Sequence, residues 1–237
     1  MKVDVAKFDA DGFLAFDHIA DDAVVAELGL RYDQMLAGEI DCQPTDRKLG
    51  RITRQIMLPS RYHRTFQDNP AREAGRQIAS ELLATPDPAF VFDMLIYKEP
   101  GQTATTPWHQ DMAYAAMPFV APGQSMKPGM FVQFWLALDD VDVENGCMHF
   151  IAGQHREPLL EHYVAAGEPT EEGRMLAIKE PEKLLDLGKA VACPLRAGGA
   201  TVHGYGTPHF TSGNRTRDRR RRAYIFNFAN PALLKRA

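Results

Sequence analysis

The sequence predicts a mainly β protein, an antiparallel double-sheet roll with α-helices packed outside it. Three observations lead there. Two amphipathic helical stretches lie before about residue 88, short aromatic and β-branched runs follow to about residue 230, and turn residues punctuate those runs. At 237 residues the chain can bury a full core as one unit. We therefore read 1–237 as a single domain, its helical N-terminal part (about 1–88) packing on a β-core (about 89–230).

Residues 8–16 (FDADGFLAF) read as a short strand after an Asp-Gly turn. Asp21 and Asp22 stand where an N-cap belongs, and Val24, Val25, Leu28, Tyr32, Met35 and Leu36 recur at helical spacing. Residues 38–50 are polar and turn-rich, a loop, and 51–58 favour a strand. Asp68-Asn69-Pro70 then supplies a cap and an N1 proline. Ala74, Ile78 and Leu82 form the apolar stripe of that second helix, and Pro86 ends it.

Strands dominate after Pro88. Residues 90–98 (FVFDMLIYK) are aromatic and β-branched, and Pro100-Gly101 turns the chain. Residues 113–129 show no clean period, and so long a loop reads as a substrate cover or as a mobile excursion. Residues 130–138 (MFVQFWLAL) form the most apolar strand, with Asn145-Gly146 as a hairpin turn before CMHFI. Residues 156–188 look like a helical or irregular insertion. Strands resume at 190–195, 199–203 and 221–228.

Composition excludes several function classes. A net charge of −4 gives no pull towards nucleic acid or an anionic membrane. Cys42, Cys147 and Cys193 show neither paired nor zinc-type spacing, which points to reduced thiols and a cytoplasmic protein. The start MKVDVAKFDADGF lacks the apolar run of a signal peptide, and no window is apolar enough for a transmembrane helix. Arg215 to Arg222 is one short basic run without interleaved aromatics, so nucleic-acid binding is set aside. Asp140, Asp142 and Glu144 mimic the start of a calcium loop. Its glycine comes one position late, however, and no acid closes it.

The chemistry centres on Thr106-Pro107-Trp108-His109-Gln110-Asp111, read with Val202 to His209. In extended backbone His109 and Asp111, spaced i, i+2, leave the same face. Joined by a distant histidine, they make a 2-His-1-carboxylate set, which suits non-heme Fe(II) because it leaves three positions open. Taken alone, a His-x-Asp pair also reads as a surface ion pair or a satisfied hydrogen bond.

Its company decides. Asp11-Gly12-Phe13 precedes a helix, and Trp135 to Asp140 runs WLALDD, followed by Asn145-Gly146-Cys147-Met148 and Ile151-Ala152-Gly153-Gln154-His155. Ala197 to His203 (AGGATVH), His209-Phe210-Thr211, Asn214 and an arginine run close the set. In this order and spacing the chain resembles the phytanoyl-CoA dioxygenase (PhyH) family of Fe(II)/2-oxoglutarate-dependent oxygenases, over most of its length. It departs at Gln154, where the family usually has serine, and in an arginine run one residue longer.

That resemblance implies a double-stranded β-helix core (jelly-roll, cupin-like) and iron held by His109, Asp111 and His209. The other iron positions would take 2-oxoglutarate and then O2. The distal carboxylate of 2-oxoglutarate needs a cation, and arginine meets a carboxylate with two parallel hydrogen bonds. Strand phase chooses Arg221, which shares a face with the small Ala223, whereas counting from the distal histidine selects Arg220. Thr211 is placed to add a hydroxyl. Trp135 matches a family tryptophan near the cosubstrate and reads equally as a core aromatic. His203 reads as a supporting or packed histidine, and His18, His63, His149, His155 and His162 as structural or exposed.

The implied reaction is hydroxylation of a small-molecule C–H bond, with succinate and CO2 formed. Related halogenases replace the carboxylate, so Asp111 argues for hydroxylation. Desaturation, epoxidation and cyclisation stay open, as does a metal- or ligand-binding roll without turnover.

Overall fold

The computed structural model describes residues 2–49, 53–114, 129–167 and 174–234. Its strands are Phe13–Phe16 (β1), Asp46–Leu49 (β2), Thr53–Met57 (β3), Ala89–Lys98 (β4), Thr106–His109 (β5), Phe131–Ala137 (β6) and Met148–Ile151 (β7). His162–Ala166 (β8), Met175–Ile178 (β9), Ala190–Cys193 (β10), Ala200–Gly204 (β11), His209–Thr211 (β12) and Arg221–Ala229 (β13) complete them. A seven-stranded sheet runs β1-β11-β6-β13-β4-β3-β2, a four-stranded sheet runs β10-β7-β12-β5, and β8 pairs with β9. All these pairings are antiparallel. The architecture is the expected mainly β roll with helices outside.

Strand alternation gives the large sheet two distinct faces. On β13, Tyr224, Phe226 and Phe228 point outward to helices Asp22–Ala37 and Pro70–Leu82, meeting Leu28, Tyr32, Met35, Ile78 and Leu82. Each such apolar side chain, once fully buried, contributes about 1.5–3 kcal/mol before entropy is counted. Gly75 lets the second helix sit this close, because a Cβ there would run into the Phe226 ring. Both helices start on the expected caps: Asp21 accepts from the Val24 N–H and Asn69 from the Arg72 N–H. The inner face, Trp135, Ala137, Ala223 and Ile225, meets Met148, Phe150 and Cys193 of the smaller sheet.

Several expectations change. Residues 5–11 are helical, capped by Asp4 and ended by Gly12 at φ 85°, so the strand expected at 8–16 is confined to β1. The expected loop at 38–50 contains β2, and the N-terminal part lends β1, β2 and β3 to the large sheet. Asn145-Gly146 is no hairpin, since β6 and β7 lie in different sheets. The chain crosses between sheets there, held by Asn145, whose amide donates to the Asp140 carbonyl and accepts from the Asp142 N–H. The insertion at 156–188 carries the β8–β9 pair. The loop expected at 113–129 falls largely on 115–128, outside the described residues.

Asp140 pairs with Arg196, and Asp142 and Glu144 with Arg219. Among the described residues no helix is long and apolar enough to cross a membrane.

Candidate metal centre

The two histidines come together through strand pairing. β5 and β12 are neighbours, and His109 stands directly opposite His209 with ring centroids 4.1 Å apart. Gln110 continues the extended path at φ −118° and ψ 129°, so Asp111, though it opens a short turn, leaves on the same side as His109. Asp111 Oδ1 lies 3.8 Å from His109 Nε2 and 3.6 Å from His209 Nε2. One ligand atom from each of the three residues lies within 4.8 Å of the others.

Tautomers follow from the backbone. His109 Nδ1 is 2.7 Å from the Pro107 carbonyl and His209 Nδ1 is 2.9 Å from that of Thr207. A carbonyl only accepts, so both Nδ1 atoms carry the hydrogen and both Nε2 lone pairs face Asp111. Burial pushes the pKa of each imidazole down, keeping them neutral. Burial alone would raise Asp111, but His209, His203 and His109 around it hold its carboxyl below the usual range. Three acceptors thus converge without a donor between them. That arrangement repels itself unless a cation sits there, so the donor set fits a divalent metal.

Arg221 points inward, as strand phase predicts, and is 1% exposed. It donates from Nε and Nη2 to the Gly146 carbonyl at 3.0 and 2.8 Å, and its guanidinium carbon is 4.7 Å from the centre of the Trp135 ring. Gly146, at φ 100°, is required, because a Cβ would press on the Ser212 carbonyl. Lys98, opposite Arg221 on β4, is fully buried and donates to Thr211 Oγ1 at 3.0 Å and the Ser212 carbonyl at 2.9 Å. Among the described residues neither cation has a carboxylate partner. Burial lowers Arg221 to about 10 and Lys98 well below its ordinary value. Burial without a counter-charge disfavours the charged form of both groups, and an anion bound beside them would offset that cost.

Arg220, the alternative from counting, is turned away: it is half-exposed and pairs with Asp33 at 3.0 Å. Its exposed side chain faces the outer helix, not the roll interior. The structure therefore brings together His109, Asp111 and His209, and separately Arg221, Thr211 and Trp135.

Sequence reasoning missed Lys98, Gln133 and the contact made by His203. Lys98 ends an apolar strand in phase with Met94 and Ile96, but its meaning needs the β4–β13 register. His162 also lies close, its Nε2 accepting the Gln110 N–H at 3.0 Å, and burial lowers it to about 4. Gln110 itself ties the ligand segment down, donating to the Gly206 carbonyl and accepting from the Leu160 N–H.

Comparison with known proteins adds independent findings. Residues 8–223 match the family described as phytanoyl-CoA dioxygenase (PhyH). Phytanoyl-CoA dioxygenase domain-containing protein 1 of Rattus norvegicus is 26% identical over 195 residues, which is 80% of this chain and 60% of that protein. The chain thus spans about 60% of the length of this curated relative. The crystal structure of EvdO2 from Micromonospora carbonacea var. aurantiaca complexed with 2-oxoglutarate superimposes with a TM-score of 0.77 at 33% identity, covering 95% of this chain and 89% of that one. The epimerase SnoN, in complex with Fe3+, alpha ketoglutarate and nogalamycin RO, shares the fold at a TM-score of 0.71 and 22% identity, over 95% of this chain and 82% of its own.

Proposed function

The chain belongs to the phytanoyl-CoA dioxygenase (PhyH) family of non-heme iron- and 2-oxoglutarate-dependent dioxygenases, and on that premise we propose that it hydroxylates a C–H bond of a small-molecule substrate, forming succinate and CO2 from 2-oxoglutarate. In this reading His109, Asp111 and His209 hold Fe(II), two neutral imidazoles and one carboxylate. Bound there, the iron supplies the activation of O2 that is coupled to decarboxylation of the 2-oxo acid. Arg221 and Lys98 grip the distal carboxylate of 2-oxoglutarate, with Thr211 beside the lysine and Trp135 holding the guanidinium flat. The hydrogen-bonded Nδ1 atoms would keep both histidines from rotating and both Nε2 atoms turned to the place where the metal would be held. Residues 1–237 act as one oxygenase domain, with the helical layer bracing the large sheet.

One observation carries this reading: a cluster of three acceptors shares its roll with two buried basic side chains that have no carboxylate partner among the described residues. A keto-diacid would offer one end to a metal and a carboxylate to the two basic groups. Purified protein given Fe(II), ascorbate and 2-oxoglutarate should release succinate, lose this on EDTA treatment and regain it with added Fe(II). Absence of both succinate and anaerobic 2-oxoglutarate binding sinks the proposal.

A further inference from the structure

Asp111 lies in a turn and not in a strand, so its own backbone does not decide which carboxylate oxygen faces the two imidazoles. That decision comes from across the roll. Gln133 on β6 and His203 on β11 are cross-strand partners, so their side chains leave the inner face side by side. Gln133 Nε2 donates to Asp111 Oδ2 at 2.6 Å, and His203 Nε2 lies 3.0 Å from the same oxygen. A carboxylate only accepts. The amide must therefore turn its nitrogen to Asp111, and the imidazole must carry its hydrogen on Nε2.

The other nitrogen of His203, Nδ1, is buried and has no hydrogen-bond partner among the described residues. The ring is thus committed to Asp111 at one end and left bare at the other. It is also wedged in place, its centroid 5.2 Å from Phe150 and 4.4 Å from His209, with Phe13 opposite it on β1. Both donors stand on paired strands of the large sheet and are buried. Oδ1 is the oxygen that remains, 3.8 and 3.6 Å from the two Nε2 lone pairs.

We propose that Gln133 and His203 are positioning residues that lock Asp111 as a one-oxygen ligand, so that the place a second carboxylate oxygen would take stays open for the cosubstrate. The proposal rests on the reading of His109, Asp111 and His209 as a metal centre. One donor alone would let the carboxylate pivot about a single hydrogen bond. Two donors from adjacent strands fix its plane. With them removed, Oδ2 loses both donors and turns to the metal, or the turn lets the whole side chain swing off.

Co(II), whose absorption reports ligand number, is the probe. Metal-free protein is titrated with Co(II) against a competing chelator, its visible spectrum recorded, and 2-oxoglutarate added anaerobically to the Co(II) form. Gln133→Leu and His203→Phe should each weaken Co(II) binding about 10- to 100-fold, alter the Co(II) spectrum and blunt the response to 2-oxoglutarate. His203→Gln, which keeps an N–H donor, should recover binding to within a few-fold. Should Gln133→Leu not fold, Gln133→Glu, which exchanges the donor for an acceptor, should show the same losses. Affinity and spectrum unchanged in these variants, while Asp111→Ala loses Co(II), overturn the lock and leave the metal centre standing. Failure of the unaltered protein to take up Co(II), or retention of Co(II) by Asp111→Ala, overturns both.

Discussion

Arg221 and Arg222 are neighbours on β13, both buried, and they meet opposite fates. Arg222 points outward, where Asp139 receives its Nη2 at 2.7 Å and Asp33 its Nη1 at 3.0 Å, while the Gly29 carbonyl takes a further bond. Arg221 points inward and meets one backbone carbonyl and a tryptophan ring. The same contrast runs along the sheet. On the outer face buried Asp93 has Ser60 Oγ at 2.9 Å and the Tyr224 hydroxyl at 3.2 Å, although Tyr32 Oη there lacks a partner. On the inner face, which Arg221 and Lys98 share, Thr201 Oγ1, His203 Nδ1 and Asn227 Oδ1 are buried and have no hydrogen-bond partner among the described residues. A face that closes its own polar groups is built for stability. One that leaves charges open is built to receive something else.

The sharpest test of that division is Asp111→Ala, which should abolish both Fe(II) retention and succinate release; full activity would end the ligand assignment. Arg221→Ala should weaken 2-oxoglutarate binding about 100-fold, since truncating one side of a buried charge pair costs roughly 2–5 kcal/mol and 1.4 kcal/mol is about tenfold. Its folding stability should hold or rise, because among the described residues no carboxylate pairs with it and is left stranded. Arg222→Ala should behave inversely, losing about 3 kcal/mol in denaturant unfolding while 2-oxoglutarate affinity stays within a few-fold, as half-buried Asp139 loses the guanidinium and keeps only the backbone N–H of residue 222. An exchange of these two phenotypes would reverse the assignment of faces.

A smaller effect concerns pH. Burial pushes the Asp93 carboxyl up to about 6. The folded state therefore binds this proton more tightly than the unfolded chain, whose ordinary value is 3.8. Its contribution is complete below the unfolded value and is lost as pH rises through about 6, on the order of 3 kcal/mol in all. Unfolding free energies measured from pH 4 to 8 should fall across that window, and Asp93→Asn should flatten the fall. Least of all, Arg220→Ala should change stability by under about 1 kcal/mol and leave 2-oxoglutarate binding alone, because its pair with Asp33 faces solvent.

Much of the centre was legible because it depends on local period. His109 and Asp111 share a side through one extended residue, and Arg221 separates from Arg220 and Arg222 by strand alternation. The two long helices were legible through their caps, Asp21 and Asn69. The helix at 5–11 was harder, with Phe8 its one buried residue and so almost no apolar stripe to read. β2 (DRKL) is polar and lies at a sheet edge, where burial imposes little pattern. Asn145-Gly146 has the chemistry of a tight turn, but the destination of the strand beyond it is not encoded in the turn.

From the primary order alone came the mainly β class, the i, i+2 ligand pair and the inward phase of Arg221. All are set by the two-residue repeat of a strand, which any single segment carries within itself. The pairing of Gln133 with His203 over Asp111, the setting of Lys98 beside Thr211, and the neutralisation of Arg222 but not Arg221 arose only once the sheets closed. Those contacts join residues 22 to 189 positions apart, and their existence depends on which elements lie side by side.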